Sequence, residues 1–286
     1  MKVLVTGASG MLGRDLVPML QSRGHEVVGV DLPGLDIRDT DAVQARFRAE
    51  SPGAVIHAAA MTDVDRCELE PDLALAINGG GTASVAHAAS AIGARMLYVS
   101  TDYVFSGRGD QPIRETDPVG PLSAYGRSKL AGEQAVLAAG PGNAIVRTAW
   151  LFGRNGKNFV RTMLTLAAAG KPLRVVDDQS GSPTYTRDLA AVLIELVERP
   201  AGGIFHATNS GQTTWFRFTR EILRQAGREP VSLEPITSAE LQRPAPRPSW
   251  SVLSLARLER EGYSVPRPWE EALAAYLAEE LSAPCP

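Results

Sequence analysis

Short runs of β-branched and apolar residues recur through the first half of the chain. Each is followed by a longer segment whose apolar residues fall at three- and four-residue spacing. Lys2–Thr6, Glu26–Val30, Ala54–His57, 96–100 and 143–147 have the length and composition of buried strands. Residues 11–22, 73–91 and 123–138 carry helical spacing, and Gly24 closes the first of these as a C-cap. Strands and helices in strict alternation predict an α/β fold, a Rossmann-type doubly wound parallel sheet with helices on both faces. A helix over 187–198 and a strand over 203–207 carry the pattern past the midpoint. Beyond residue 150 the segments 159–169, 214–225 and Trp269–Leu281 are helical, and the proline-rich stretch 243–248 must be an extended connector. The expected organisation is a dinucleotide-binding Rossmann domain over 1–150, with segments around 174–208 returning to it. A smaller, mainly helical substrate-binding lobe follows over 151–286.

Composition narrows the class. The chain has 286 residues, 44% of them hydrophobic, and a net charge of −3. That is ample for a large core, and the near-balanced charge points to neither nucleic acid nor an anionic membrane as partner. Only Cys67 and Cys285 are present, which argues against a disulfide framework and for a reducing compartment. The histidines at 25, 57, 87 and 206 lack zinc-type spacing, so no metal site is expected. No apolar run approaches the roughly 18–20 residues of a membrane span, and no leader precedes the first strand. The expectation is a soluble cytoplasmic protein.

Candidate chemistry sits at the ends of the strands. The turn Thr6-Gly-Ala-Ser-Gly-Met-Leu-Gly13 follows the first strand and opens the first helix. Gly7, Gly10 and Gly13 let the backbone turn sharply, approach a pyrophosphate and pack the helix on the strand. The helix N-terminus offers N–H groups and a positive dipole end to the phosphates. Asp31, at the end of the second strand, can accept hydrogen bonds from both ribose hydroxyls and repels a 2′-phosphate, so NADH should be accepted. Arg38 reads as an exposed, solvated side chain, and His57 as a structural residue at a strand end.

The run Tyr98-Val-Ser-Thr-Asp-Tyr-Val-Phe-Ser-Gly107 ends a buried strand in two hydroxyls, a carboxylate and a phenol where a plain turn would be usual. Downstream, Tyr125-Gly-Arg-Ser-Lys129 puts a phenol and an ammonium on one helix face. Reducing a ketone takes a hydride and a proton. A phenol can give the proton, and a nearby ammonium with a positive nicotinamide is expected to lower its pKa from about 10. Thr101 can donate its hydroxyl to the same oxygen.

Taken together, Gly7/Gly10/Gly13, Asp31, Asn78, Thr101, Tyr125 and Lys129 resemble the extended short-chain dehydrogenase/reductase superfamily. Within it the chain is most similar to the dTDP-4-dehydrorhamnose reductase family. The similarity runs through S-T-D-Y-V-F at 100–105, Y-G-R-S-K-L-A-G-E at 125–133, R-T-A-W-L-F-G at 147–153 and N-F-V-R-T-M-L at 158–164. It continues through V-V-D-D-Q-S-G-S-P-T at 175–184 and R-P-A-P-R-P at 243–248, so it covers nearly the whole chain. The resemblance implies reduction of the 4-keto group of dTDP-4-dehydro-L-rhamnose by NADPH or NADH. It casts Tyr125 as proton donor, Lys129 as the modulator of its pKa and Thr101 as the hydrogen-bonding hydroxyl. Asp102, Tyr103 and Trp150 would meet the sugar. Met11, Leu12, Asp31, Asp36, Ile37, Ala58, Ala60, Met61, Thr62 and Asn78 would line the cofactor together with Tyr125 and Lys129, and Asn78 would also steady the catalytic helix.

Certain positions depart from that pattern. Gly79-Gly80-Gly81 is rich in glycine for a helical segment, and Trp250 and Val252 stand where relatives carry Asn and Arg. Some relatives bind magnesium at a dimer contact, but here only Asp15 matches such a position and Arg187 stands where an acid is wanted. A homodimer stays open. Two other readings also stay open: an epimerase or dehydratase on the same scaffold, and a non-catalytic subunit such as that of methionine adenosyltransferase, which shares S-T-D-Y-V-F. A dehydratase needs an added acid after the Asp, where this chain has Tyr103.

Overall fold

The computed structural model describes residues 1–228 and 232–281; Cys285 lies outside the described residues. Along the chain run β1 (Lys2–Thr6), α1 (Gly13–Ser22), β2 (Glu26–Val30), α2 (Thr40–Glu50), β3 (Ala54–His57), α3 (Val64–Leu69), α4 (Thr82–Ala91), β4 (Arg95–Thr101), α5 (Ala124–Ala138) and β5 (Ala144–Thr148). There follow α6 (Phe159–Ala168), β6 (Leu173–Val176), α7 (Thr186–Glu198), β7 (Gly203–His206), α8 (Trp215–Gln225), β8 (Leu233–Ile236) and α9 (Trp269–Leu281). Shorter helical turns and two-residue strands connect them.

Six strands form one parallel sheet in the order β7-β5-β4-β3-β1-β2. Strand alternation sends Val3 and Val5 to one face, where they meet Leu16 and Leu20 of α1 and Leu189 and Leu193 of α7. Leu4 points the other way, into a core with Phe47 of α2, Val85 of α4 and Tyr98 of β4. Both faces are therefore covered by helices, as a parallel sheet requires. The remaining segments form a separate core in which Phe152, Val160, Phe218 and Tyr276 pack together, beside the parallel pair β6 and β8. Chain from 184 to 206 comes back to the sheet, with α7 packed through Leu189 and Leu193 and β7 hydrogen-bonded to β5. Among the described residues no helix is long and apolar enough to cross a membrane.

Helix α2 is absent from the sequence expectation, yet its start carries a local signal. Asp39 caps it by accepting from Ala42 N at 3.0 Å. Residues 71–91 are helical as expected, but the middle turn, Leu75–Gly81, is a π-helix. Its glycines have a packing reason. A Cβ on Gly81 would lie 2.7 Å from the Ile37 side chain, and one on Gly132 of α5 only 2.6 Å from Asn78 O and 2.5 Å from the Tyr98 phenol. A side chain at Gly132 would force α5 away from the π-turn and from β4, and one at Gly81 would displace Ile37.

These contacts give a paired prediction for unfolding midpoints in urea. Gly132→Ala overpacks this contact and should cost about 1–3 kcal/mol. Gly80 is exposed in the same π-turn with nothing within 4 Å of a built Cβ, so Gly80→Ala should stabilise by about 0.4–1 kcal/mol. If the two changes shift the midpoint equally, the close approach of α5 is not what the glycines serve.

Candidate active site

The carboxyl ends of β1 to β5 open on a cleft of about 930 Å³ that also reaches the second core. Its floor at one end is the glycine turn. Gly7 has φ +74°, and a Cβ there would lie 2.7 Å from Ala59 N. A Cβ on Gly13 would sit 2.2 Å from Gly7 O, so the turn can close only without side chains. Gly7, Gly10, Met11 and Leu12 line the cleft, which leaves the first turn of α1 facing it. Asp31 lines the same end, and its Oδ2 accepts from Ser9 N at 2.7 Å, tying the acid to the turn. This cradle of small residues, exposed helix N-terminus and acid fits a dinucleotide.

The next wall is formed by Asp36 and Ile37, then by Ala58, Ala60, Met61 and Thr62 after β3. Arg38 is exposed on the rim and engaged by Asp36, Nη2 to Oδ2 2.6 Å; that bond holds the Asp36 carboxyl below the usual range. His57 is fully buried. Its Nδ1 lies 2.6 Å from Thr6 Oγ1 and its Nε2 3.0 Å from Thr82 Oγ1, and burial holds its pKa down to about 3. It is a neutral brace between β1, β3 and α4.

Gly13 and Asn78, both expected among the cofactor contacts, are not in the cleft lining. Gly13 is where α1 closes on the turn. Asn78 stands behind the wall, accepting from Met61 N at 2.8 Å and donating to Met61 O at 3.0 Å. It also donates to Ser128 Oγ at 3.0 Å, and Ser128 Oγ donates to Tyr125 O at 2.8 Å. One buried amide thus joins the 58–62 turn to the helix that carries Tyr125.

Thr101, Asp102, Tyr103, Tyr125, Lys129 and Trp150 all line the one cleft. Ser123 caps α5 by accepting from Gly126 N at 3.2 Å, which sets Tyr125 in the first turn. The Tyr125 ring meets the Tyr103 ring edge-on at 5.5 Å, and the Thr101 hydroxyl reaches its phenol. Thr101 Oγ1 also donates to Asp102 Oδ1 at 3.0 Å and accepts from Tyr103 N at 3.2 Å. Lys129, one turn further along α5, donates from Nζ to Val99 O at 2.7 Å and lies 4.1 Å above the Tyr98 ring.

Burial dominates the electrostatics of this group. It pushes the Lys129 pKa down to about 7, with Glu133 opposing. It pushes Asp102 up to about 6, against the hydroxyls of Ser251 and Thr101. The ammonium with a positive nicotinamide is expected to lower the Tyr125 pKa, but the protein alone does not. Burial raises it well above the ordinary phenol value, Thr101 opposes, and Asp102, Tyr103 and Cys67 add to the rise. The direct partners of the Lys129 ammonium are Val99 O and the Tyr98 ring.

A family model described as the RmlD substrate binding domain matches residues 1–282. The chain belongs to that family. It is 47% identical over 276 residues to a dTDP-4-dehydrorhamnose reductase of Streptomyces griseus, covering 94% of this chain and 91% of that one. It is 45% identical over 282 residues to the spore coat polysaccharide biosynthesis protein SpsK of Bacillus subtilis, covering 99% of each. A crystal structure of dTDP-4-dehydrorhamnose reductase from Bacillus anthracis in complex with NADP superposes with a TM-score of 0.95 at 37% identity, over 97% of this chain and 99% of that chain.

Other features of this RmlD-family cleft had no separate signal in the sequence. Trp215, at the start of α8, stacks on Trp150 with centroids 3.6 Å apart and planes within 10°, and both rings line the cleft. Trp150 has φ +48°, and a Cβ on Gly181 would lie 2.5 Å from its ring. Lys157 also lines this end. Three groups of the connector converge on Asp65 of α3: Arg247 Nη2 at 3.0 Å, Arg243 Nη1 at 3.3 Å and Ala245 N at 3.2 Å. Trp250 donates from Nε1 to Gln111 O at 2.8 Å and Val252 is buried. At the position of the family's metal contact, Asp15 accepts from Thr186 at 2.5 Å, while Arg187 pairs with Glu279 at 2.5 Å. Among the described residues no cluster of three or more ligating side chains could hold a metal ion.

If Asp31 holds the adenosine ribose, Asp31→Ala removes charge-assisted hydrogen bonds to its hydroxyls. NADH should then bind about tenfold or more weakly, and NADPH less so. Titration of both cofactors by fluorescence checks this, and an equal loss for the two contradicts the ribose role.

Proposed function

We propose that this chain is an NAD(P)H-dependent dTDP-4-dehydrorhamnose reductase. It reduces the 4-keto group of dTDP-4-dehydro-L-rhamnose and gives dTDP-L-rhamnose, a precursor of cell-surface polysaccharide. One observation carries the reading: Thr101, Tyr125 and Lys129 share a cleft with a dinucleotide-type glycine turn. Relatives of closely similar length and fold bear that name, and one of them holds NADP. Residues 1–150 with the returning segments serve as the dinucleotide domain, and the rest mainly as the substrate lobe. The reaction is a step of soluble metabolism, and we place it in the cytoplasm. A single chain supplies every residue the reading uses.

The cofactor, cradled by Gly7, Gly10, Met11, Leu12 and Asp31, supplies the hydride when bound. This chain's residues manage the oxygen and its proton. Tyr125 donates its phenolic proton to the ketone oxygen. Its raised pKa keeps the phenol protonated near neutrality but makes it a weaker acid, so the transfer depends on groups that stabilise the phenolate. Thr101 turns its one O–H from Asp102 Oδ1 to the same oxygen, which polarises the carbonyl. Lys129 presents a positive charge beside the reacting centre and favours the phenolate left behind. Asp102 accepts hydrogen bonds from sugar hydroxyls, and the flat Trp150–Trp215 pair offers an apolar face at the other end. A dehydratase reading gains no support, since Tyr103 occupies the place of the extra acid.

Tyr125→Phe should leave NADPH affinity near wild type and lower turnover by about 10²-fold or more, read as NADPH oxidation at 340 nm with a dTDP-4-keto sugar. Full turnover in that variant removes Tyr125 from the role. A wild-type protein that binds NADPH but oxidises none with any such sugar would be a binding subunit instead.

Asp102 sets an acid limit. Below about pH 6 its carboxyl is protonated and ceases to be a pure acceptor, so kcat/KM for the sugar nucleotide should fall as pH drops through that value. Asp102→Asn cannot titrate, and its profile should be flat there at a lower plateau. Persistence of the acid limb in Asp102→Asn would assign it to another group.

A further inference from the structure

The motif that carries Tyr125 and Lys129 ends in Glu133, a buried acid that the mechanism above does not use. One turn along α5 from Lys129, its carboxylate is 2% exposed and receives donors on both oxygens. Ser100 Oγ donates to Oε1 at 2.6 Å, Arg147 Nε to the same oxygen at 2.8 Å, and Arg147 Nη2 to Oε2 at 2.7 Å. Arg147 is equally buried and lies 4.8 Å over the Phe105 ring. Ser100 and Arg147 are register partners on β4 and β5, so both strands grip the helix through this one side chain.

Holding a helix in place does not require an ion pair. Desolvating two charges costs several kcal/mol, and a well-packed apolar pair often holds as well or better. An apolar pair lacks one thing, a negative charge next to Lys129. The other neighbours of Lys129 can hold an ammonium but carry no negative charge of their own. From β4 it meets the Tyr98 ring and Val99 O; from β3, His57, which is neutral; from its own helix, Tyr125. Asp102 and Tyr103 lie beyond Thr101. Arg147, bidentate on Glu133, offsets part of its field, and Glu133 still acts to raise the lysine pKa.

We propose that Glu133 is a positioning residue acting through Lys129: clamped by Ser100 and Arg147, its carboxylate keeps α5 on the end of β4 and keeps the Lys129 side chain an ammonium. The inference rests on the reductase reading for its consequence in turnover, but not for its first test. The protein has only four lysines, so the ¹³Cε signal of Lys129 can be followed in the ligand-free full chain. Removing the negative charge favours the neutral amine, so Glu133→Gln should lower the Lys129 midpoint by about one pH unit from its value near 7. Glu133→Asp keeps the charge and should leave the midpoint near wild type, even where turnover falls. In the pH profile of kcat, the alkaline limb of the Tyr125–Lys129 pair should move down in Glu133→Gln and stay in place in Glu133→Asp.

If Glu133→Gln alone does not fold, Glu133→Gln/Arg147→Met removes the stranded cation and is read the same way. An unchanged Lys129 midpoint in whichever of these folds overturns the proposal and leaves Glu133 a purely structural clamp. That result is distinct from failure of the reductase reading, which would show as wild-type protein without ketone-dependent NADPH oxidation while the lysine midpoint still moved.

Discussion

The seating of α5 against the carboxyl end of β4 is the constraint on which the site depends. Tyr125 and Lys129 ride on the helix, while Thr101 and Asp102 end the strand. Their meeting is decided by how near the two elements can come. Gly132 removes the side chain that would strike the Tyr98 phenol and Asn78 O, and Ser100 and Arg147 draw the helix down through Glu133. Asn78 closes the arrangement from the other side, because it bonds both the Met61 backbone and Ser128. Apolar packing, a buried ion pair and a buried amide all act on the same helix. Loss of any one would move the phenol relative to the threonine, where displacements of an ångström change rates greatly.

The same tight seating accounts for the electrostatic character of the cleft. Each titratable group at its chemical end is shifted first by burial, in the direction that disfavours charge. Tyr125 is consequently a firm proton carrier, Asp102 ionises late, and Lys129 is close to losing its charge. A site that transfers a proton to a ketone is kept protonated by the first of these, though as a weaker acid. It must correct the third, since a neutral lysine could not favour the phenolate. The dinucleotide end is different in kind: there the contacts are glycine backbone, a helix N-terminus and one acid held by Ser9 N.

Between the two cores the chain crosses several times, and the crossings frame the cleft. Trp150 leaves β5 in a left-handed conformation and lays its ring on Trp215 of the second core, over Gly181. The connector 243–248 returns to Asp65 on α3, so a charged clasp spans the opposite side. Trp250 and Val252, the expected departures from the family pattern, follow this connector. Here those positions bond or pack against the 107–113 segment, which continues the strand end bearing Thr101.

Local chemistry made much of the fold legible before any coordinates. Alternating five-residue apolar runs and amphipathic segments can satisfy their backbone and bury their faces in few ways other than a doubly wound sheet. The glycine turn, the acid after β2 and the tyrosine–lysine spacing are likewise local patterns, set by what a phosphate, a ribose and one helix face require. Helix α2 could have been read from Asp39, and the π-turn at Leu75–Gly81 was foreshadowed only as an excess of glycine. Distance-dependent facts were of another sort. That Asn78 braces the wall instead of lining it, that Trp215 stacks on Trp150, and that Lys129 directs its ammonium at Val99 O and the Tyr98 ring all join residues far apart in sequence. The sign of the Tyr125 shift belongs with them. Sequence places a cation four residues away and implies a lowered pKa, but desolvation is a property of the packed cleft, and there it outweighs the charge.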